Sequence, residues 1–391
     1  MPVDAACGLP EFVDNARLVN TTEYIDTADG ATRLAESLAG VDYLAIDTEF
    51  VREKTYFPRP CLLQIGHGER TACIDLIAEG VADCLRDLLF DPTITKVLHS
   101  ARQDMEVFHL LWGALPAPIF DTQIAGALTG LPEQCGYAGA VETLLGVKLE
   151  KGHARTDWSR RPLSDAQIRY AADDVRYLVP LYARLREDLA KRGRADWPQR
   201  EFDALSRLSL FEPEPEGAWR RVKYGRQLEG TDLARLRALA AWREHVAIDR
   251  DRPRRWILSD DALIALARSN PQTADAVEQQ PELPPAVRRR YGSEIASVLA
   301  KLGDDPEVPD AGPSWRMSKS DTALARKLAE IVDQCAQENE VAASAIAPRA
   351  DLKKLVMGER ELPVLSGWRR ELVGARLLAE VAGGGEPQDP D

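Results

Sequence analysis

Two acids inside an apolar run are the first residues that could do chemistry. Asp47 and Glu49 sit in YLAIDTEFV, Tyr43 to Val51. Residues two apart on a strand project from the same face, so both carboxylates point the same way. Held close together and out of water, two negative charges repel, and burial adds to the cost. A hard divalent cation removes both penalties, and carboxylate oxygens are the ligands that Mg²⁺ or Mn²⁺ prefers. The same pattern also suits an edge strand carrying two solvated acids.

Two further acids extend the set. Asp104 follows the run KVLHS by one helical turn, beside a strand end, where open α/β sheets place their ligands. Its position equally suits a partner for the positive end of the helix. Asp174 stands four residues after Tyr170 in YAADD, so phenol and carboxylate share one helix face. A tyrosine at the border of the core and an acid in water would look the same. Asp173 is one residue away and offers the same oxygens.

The elements that must position these groups come from the first half of the chain. DYLAIDTEF, CLLQIG, TACIDL and KVLHS read as four strands. SARQDMEVFHLLWG reads as a helix with a Ser100–Gln103 capping box and a stop at Gly113. PLSDAQIRYAADDVRYLVPLYARLREDLAKRG reads as one long helix, capped by Ser164 and Gln167, bent at Pro180 and ended by Gly193. The pattern predicts an α/β domain ending near Leu205. FEPEPEGAW reads as a linker, and no strand pattern appears from Leu228 onward. Two sets of short helices, rich in Ala, Leu and Arg, are divided by LGDDPEVPDAGPSW. The tail GGGEPQDPD is expected to be disordered.

In chain order the acids read D-x-E on a first strand, Asp on a middle helix and Y-x-x-x-D on a late helix. At this level the chain resembles the DEDD family of 3′→5′ exonucleases, in the subgroup with tyrosine in its last motif, and more narrowly the ribonuclease D group. AIDTEFVREKTYFPRPCLLQIG, ITKVLHSARQDMEVF, FDTQIAGAL and RTDWSRRPLSDAQIRYAADDVRYLVPLY carry the likeness, over roughly Tyr43 to Leu185. The resemblance implies an RNase H-like fold and two divalent metal ions, Mg²⁺ or Mn²⁺. It matches Asp47, Glu49, Asp104 and Asp174 to the metal-binding carboxylates and Tyr170 to the residue that positions the attacking water. It favours Asp174 over Asp173. Leu228 to about Leu302 resembles an HRDC domain, and ALARKLAEIVDQ through LSGWRRELVG looks like a second, more divergent copy. The implied organisation is an exonuclease domain over 1–205, a linker over 206–227 and a first HRDC domain over 228–303. A linker over 304–317, a second HRDC-like domain over 318–382 and a tail over 383–391 complete it.

The activity so implied is metal-dependent exoribonuclease trimming of structured RNA with a free 3′ end, tRNA precursors among them, releasing nucleoside 5′-monophosphates. Nothing in the residues reads a 2′-hydroxyl, so a DNA exonuclease of the same family stays open. A catalytically silent RNA-binding scaffold is the other alternative, and the five intact motif positions argue against it. Substrate contacts are expected from Phe50 and Tyr56 beside the D-x-E pair, although Phe50 also reads as core-facing, and from KGHARTDWSRR. There Lys151, Arg155, Arg160 and Arg161 stand against Asp157, and Trp158 could stack on a base or tuck inward. RDRPRR (250–255) and VRRRY (287–291) are two more basic patches. His99 reads as a buried, hydrogen-bonded histidine and Asp121 as a structural cap. The formal net charge of -13 argues against a protein that coats nucleic acid wholesale. The six scattered cysteines include no C-x-x-C pair and read as reduced thiols. The first residues lack a secretory pattern and no stretch approaches twenty apolar residues. A cytoplasmic monomer with no membrane association is the expectation.

Overall fold

The protein is described here by a computed structural model, which covers residues 22–150, 152, 156–303, 306–309 and 317–383. Lys151, Arg155, most of the segment read as a second linker, and tail residues 384–391 lie outside the described residues.

The described chain begins with β1 (Thr22–Ile25) and α1 (Ala28–Ser37), then three successive strands, β2 (Tyr43–Val51), β3 (Arg59–His67) and β4 (Arg70–Asp75). Next come α2 (Arg86–Phe90), β5 (Thr95–Leu98), α3 (Arg102–Trp112), β6 (Ile119–Asp121), α4 (Thr122–Ala127) and α5 (Tyr137–Leu145). Helices α6 (Asp165–Arg176), α7 (Leu178–Lys191) and α8 (Gln199–Leu205) follow. The six strands form one sheet in the order β1-β4-β3-β2-β5-β6. β3 and β4 are antiparallel, while β1–β4, β2–β5 and β5–β6 are parallel. The strand carrying Asp47 and Glu49 is therefore interior, not the edge strand that solvated acids would need. β1 and β6 were not anticipated; at four and three residues they are too short to display a period of two.

Two helix boundaries differ from expectation for local reasons. The long helix is broken at Tyr177 into α6 and α7. Pro180 has no N–H to offer the carbonyl four residues back, which frees the break just before it. The capping box at α6 forms as expected: Ser164 N donates to Gln167 Oε1 at 2.9 Å, and Gln167 N donates to Ser164 Oγ at 3.3 Å. At α3 no Ser100–Gln103 box forms, because Ser100 is left-handed (φ 61°) and the helix starts at Arg102. Asp121 supplies the missing acceptor, taking the Ser100 and Ala101 amides at 3.2 and 2.8 Å. The same carboxylate accepts from Gln123 and Ile124, so it caps α4 as well.

The helical sequence after Leu205 divides between two compact units. The first unit holds the sheet, its helices and the last helical set: α14 (Lys319–Asn339), α15 (Ala343–Ile346), α16 (Arg349–Val356), α17 (Gly367–Arg369) and α18 (Ala375–Gly383). Leu328, Val332, Leu352 and Leu377 share one core with Ala45 and Phe120 of the sheet and Val175 and Leu181 of α6 and α7. Trp197 and Trp368 stack at 4.1 Å with planes 3° apart, flanked by Arg194 and Arg369. The set read as a second HRDC-like domain thus buries its apolar face against the sheet domain.

The second unit consists of α9 (Gly230–Asp249), α10 (Arg254–Ile257), α11 (Asp260–Ser269), α12 (Ala274–Glu278) and α13 (Pro285–Lys301), together with Val51–Arg59 and residues from Phe211 onward. Its core includes Leu236, Leu263, Ile295 and Leu299. Part of the expected linker joins this core: Pro215–Arg221 is a 3₁₀ helix with Trp219 only 3% exposed. Tyr56 belongs there too. Its hydroxyl donates to the buried Glu244 carboxylate at 2.6 Å, and Asp251 accepts the Tyr56 and Phe57 amides at 2.9 and 3.0 Å. A buried and doubly tied Tyr56 has no face for a nucleic-acid base, which corrects that expectation. Among the described residues no helix is long and apolar enough to cross a membrane, and none of the five described cysteines is in a disulfide.

Candidate active site

β2 alternates strictly, so Asp47 and Glu49 leave one face and Thr48 the other. α6 brings Asp174 to the first face. Asp47, Glu49 and Asp174 each offer a carboxylate oxygen, and these atoms all lie within 4.8 Å of one another. Asp173 turns away and is ion-paired with Arg176, so the helix presents Asp174 to the group. Asp104 is not part of this tight trio. It is 6% exposed, and its Oδ1 accepts from the Thr48 hydroxyl at 2.6 Å. The sequence carried a signal for Thr48 that went unread, since a hydroxyl on the far face of a buried strand needs a partner.

The acids meet one another electrostatically. Burial, then the Asp47, Asp174 and Asp104 charges, push Glu49 up to about 10. Burial, then Asp173 and Asp104, push Asp174 up to about 7. Asp47 is raised by burial and Asp174. Asp104 is raised by burial and Asp47, and the Thr48 hydroxyl partly opposes this. Such a cluster resists its own negative charge and is chemically suited to hard cations. The donor set is all oxygen, and it fits a divalent ion of that kind. Tyr170, one turn before Asp174 on α6, is half-buried with its ring 6.1 Å from Trp158. Burial and the charges of Asp174, Glu49 and Asp47 hold its phenol above the usual range, so it stays protonated.

α6 reaches this position because β3 lets it approach. A Cβ at Gly66 would lie 3.0 Å from the Val175 carbonyl oxygen and 3.2 Å from its Cβ. We expect Gly66→Ala to push α6 off the sheet. The expected cost is about 1–3 kcal/mol in urea unfolding, with lower activity because Asp174 moves. An unchanged unfolding midpoint would show that the helix yields freely.

The flanking residues divide differently from the sequence expectation. Trp158 is 2% exposed and cannot stack on a base from there. Its inward placement goes with Arg161, which donates to the Trp158 carbonyl at 2.8 Å and to both oxygens of Asp75 at 2.6 and 2.5 Å. Arg161 is thus a loop anchor, not a phosphate contact. Arg160 is exposed beside Asp157 at 3.0 Å, and Phe50 is half-buried. His99 is half-buried with Thr122 Oγ1 and the Cys135 carbonyl at 2.9 and 3.0 Å from its ring nitrogens, and desolvation lowers its pKa. It ties the end of β5 to the start of α4 and to the segment before α5.

A mixed sheet with D-x-E on an interior strand, a third acid on α3, and Tyr and Asp on α6 defines a 3′→5′ exonuclease of RNase H-like fold. A family model described as 3′-5′ exonuclease matches residues 22–190, and an HRDC domain model matches 232–299. Ribonuclease D of Acidiphilium cryptum is 39% identical, the match covering 90% of this chain and 91% of the relative. Ribonuclease D of Gluconacetobacter diazotrophicus is 37% identical, covering 91% of each. Among solved structures, Escherichia coli RNase D, described as an exoribonuclease involved in structured RNA processing, superposes with a TM-score of 0.83. It is 30% identical, over 93% of this chain and 99% of that one. The chain belongs to the ribonuclease D family. It is a 3′→5′ exoribonuclease, and the exonuclease domain of this family uses divalent metals.

Proposed function

We propose that the protein trims the 3′ ends of structured RNA, tRNA precursors among them, one nucleoside 5′-monophosphate at a time. The observation that supports this best is the convergence of Asp47, Glu49 and Asp174 beside Tyr170. In this reading these three acids and Asp104 hold two ions, Mg²⁺ or Mn²⁺. When bound, such ions supply an activated water and neutralise charge on the departing 3′ oxygen. The chain's own residues do the remainder. Thr48 fixes the rotamer of Asp104. Tyr170 keeps its proton and orients the attacking water through its hydroxyl. Phe50 meets the terminal base, and Arg160 meets a phosphate as it leaves Asp157. Lys151 and Arg155 are proposed phosphate contacts from the sequence alone. The exonuclease domain over 1–205 and the two HRDC-type segments act in one monomer, and the reduced state of the described cysteines supports a cytoplasmic setting.

The test uses 5′-labelled RNA and DNA oligomers of one sequence, each with a 3′-hydroxyl or a 3′-phosphate, in Mg²⁺, Mn²⁺ or chelator. Stepwise shortening of the 3′-hydroxyl RNA by one nucleotide at a time, dependent on the cation, is expected. Internal cuts, equal use of DNA, or activity in chelator would contradict the reading.

A further inference from the structure

One buried polar side chain in the sheet has no use in the account so far. Gln64, in the middle of β3, is 0% exposed, and neither its amide nitrogen nor its amide oxygen has a hydrogen-bond partner among the described residues. Buried amides are normally satisfied, so an orphan of this kind points to a partner outside the protein's own groups.

Strand register fixes which way Gln64 faces. It pairs directly with Cys73 of β4, and residues opposite each other in an antiparallel pair share a face. The Cys73 thiol donates to the Ile168 carbonyl of α6 at 3.7 Å. Gly66, two residues on and on the same face, meets Val175 of α6. Gln64 therefore lies under α6. Asp47 lies under the same helix, since its carboxylate belongs to the group with Asp174, and β2 is the neighbour of β3 in the sheet. The two side chains occupy one layer on adjacent strands. Asp104 has the Thr48 hydroxyl to orient it, whereas Asp47 is met by the backbone N–H of Thr48.

We propose that Gln64 is a positioning residue of the metal centre: its amide N–H holds the Asp47 carboxylate, through one buried water, in the orientation that binds the cation. Groups that orient a metal's ligands commonly change affinity about 10- to 100-fold when removed. The inference rests on Asp47 being a metal ligand, and the experiment separates the two.

Full-length wild type, Gln64→Leu and Asp47→Asn are titrated with Mn²⁺ without RNA and followed by electron paramagnetic resonance. Each is also melted in chelator. Leucine removes both polar atoms and keeps most of the volume, so Gln64→Leu should melt at or above wild type without metal. Its Mn²⁺ affinity should fall about 10- to 100-fold. Affinity within twofold of wild type, with Asp47→Asn weakened, overturns the role of Gln64 and leaves the metal assignment standing. If both variants bind like wild type, the metal assignment fails and takes this proposal with it. If Gln64→Leu unfolds in chelator, Gln64→Met is measured in its place. If that variant also unfolds or melts lower, Gln64 is a packing residue and the proposal is overturned.

Discussion

Asp47→Asn is expected to lower exonuclease turnover by about 10²-fold or more while the metal-free protein melts above wild type. The two halves of this result have one cause. Removing a preorganised group that stabilises a developing charge commonly costs 10²–10³ in rate. Asp47 also takes part in a cluster that its own fold disfavours in the charged form, since burial and Asp174 both raise its pKa. An amide keeps the shape and cannot take on the charge that burial and Asp174 oppose. Turnover is read from mononucleotide release at saturating Mg²⁺, and stability from melting in chelator. A variant that loses activity because it melts lower would place Asp47 among the structural residues. Retained turnover would remove it from the chemistry.

Metal affinity should rise steeply between pH 6 and pH 8, and the rise in melting temperature caused by metal should grow with it. Glu49 is pushed from 4.5 up to about 10, and Asp174 from 3.8 up to about 7. Between the ordinary and the raised value, the folded metal-free protein holds a proton that the unfolded chain has released. Unfolding then releases a proton, so these groups weaken the metal-free fold as pH climbs through that window. The penalty fades as pH falls below about 4, where the unfolded chain is protonated as well. A cation must displace the same protons, which gives up to about tenfold in affinity per pH unit for each one released. Calorimetry at pH 6, 7 and 8, in buffers of different ionisation heat, counts the protons directly. An affinity flat across that range, with no proton release, would contradict the coupling.

Much of this site could be read before any coordinates. Asp47 and Glu49 were legible because a strand's period of two leaves no choice of face, and Tyr170 with Asp174 because helix spacing aligns them. Asp174 over Asp173 rested on family likeness, and the Arg176 ion pair supplies its physical reason. The long-range partners were not legible. Asp121 capping α3 across 20 residues, and Thr48 turning Asp104 across 56, depend on strand order that no local pattern encodes. The same holds for Tyr56, whose burial requires Glu244 from 188 residues away. Trp158 was open to two readings because a tryptophan beside arginines looks alike whether it faces out or in. The Arg161–Asp75 pair, 86 residues apart, decides it. That the last helical set shares a core with the sheet domain was not legible either, since a sequence shows an apolar face without showing what covers it.

The central claim is that Asp47, Glu49, Asp104 and Asp174 form one cage for divalent cations. Diffraction at the manganese edge, from crystals soaked in Mn²⁺, tests it most directly. Anomalous peaks among these four carboxylates, each about 2.0–2.3 Å from the nearest oxygens, are the predicted result. Absence of any peak there, in crystals of a protein that degrades RNA in the same Mn²⁺ solution, would contradict it.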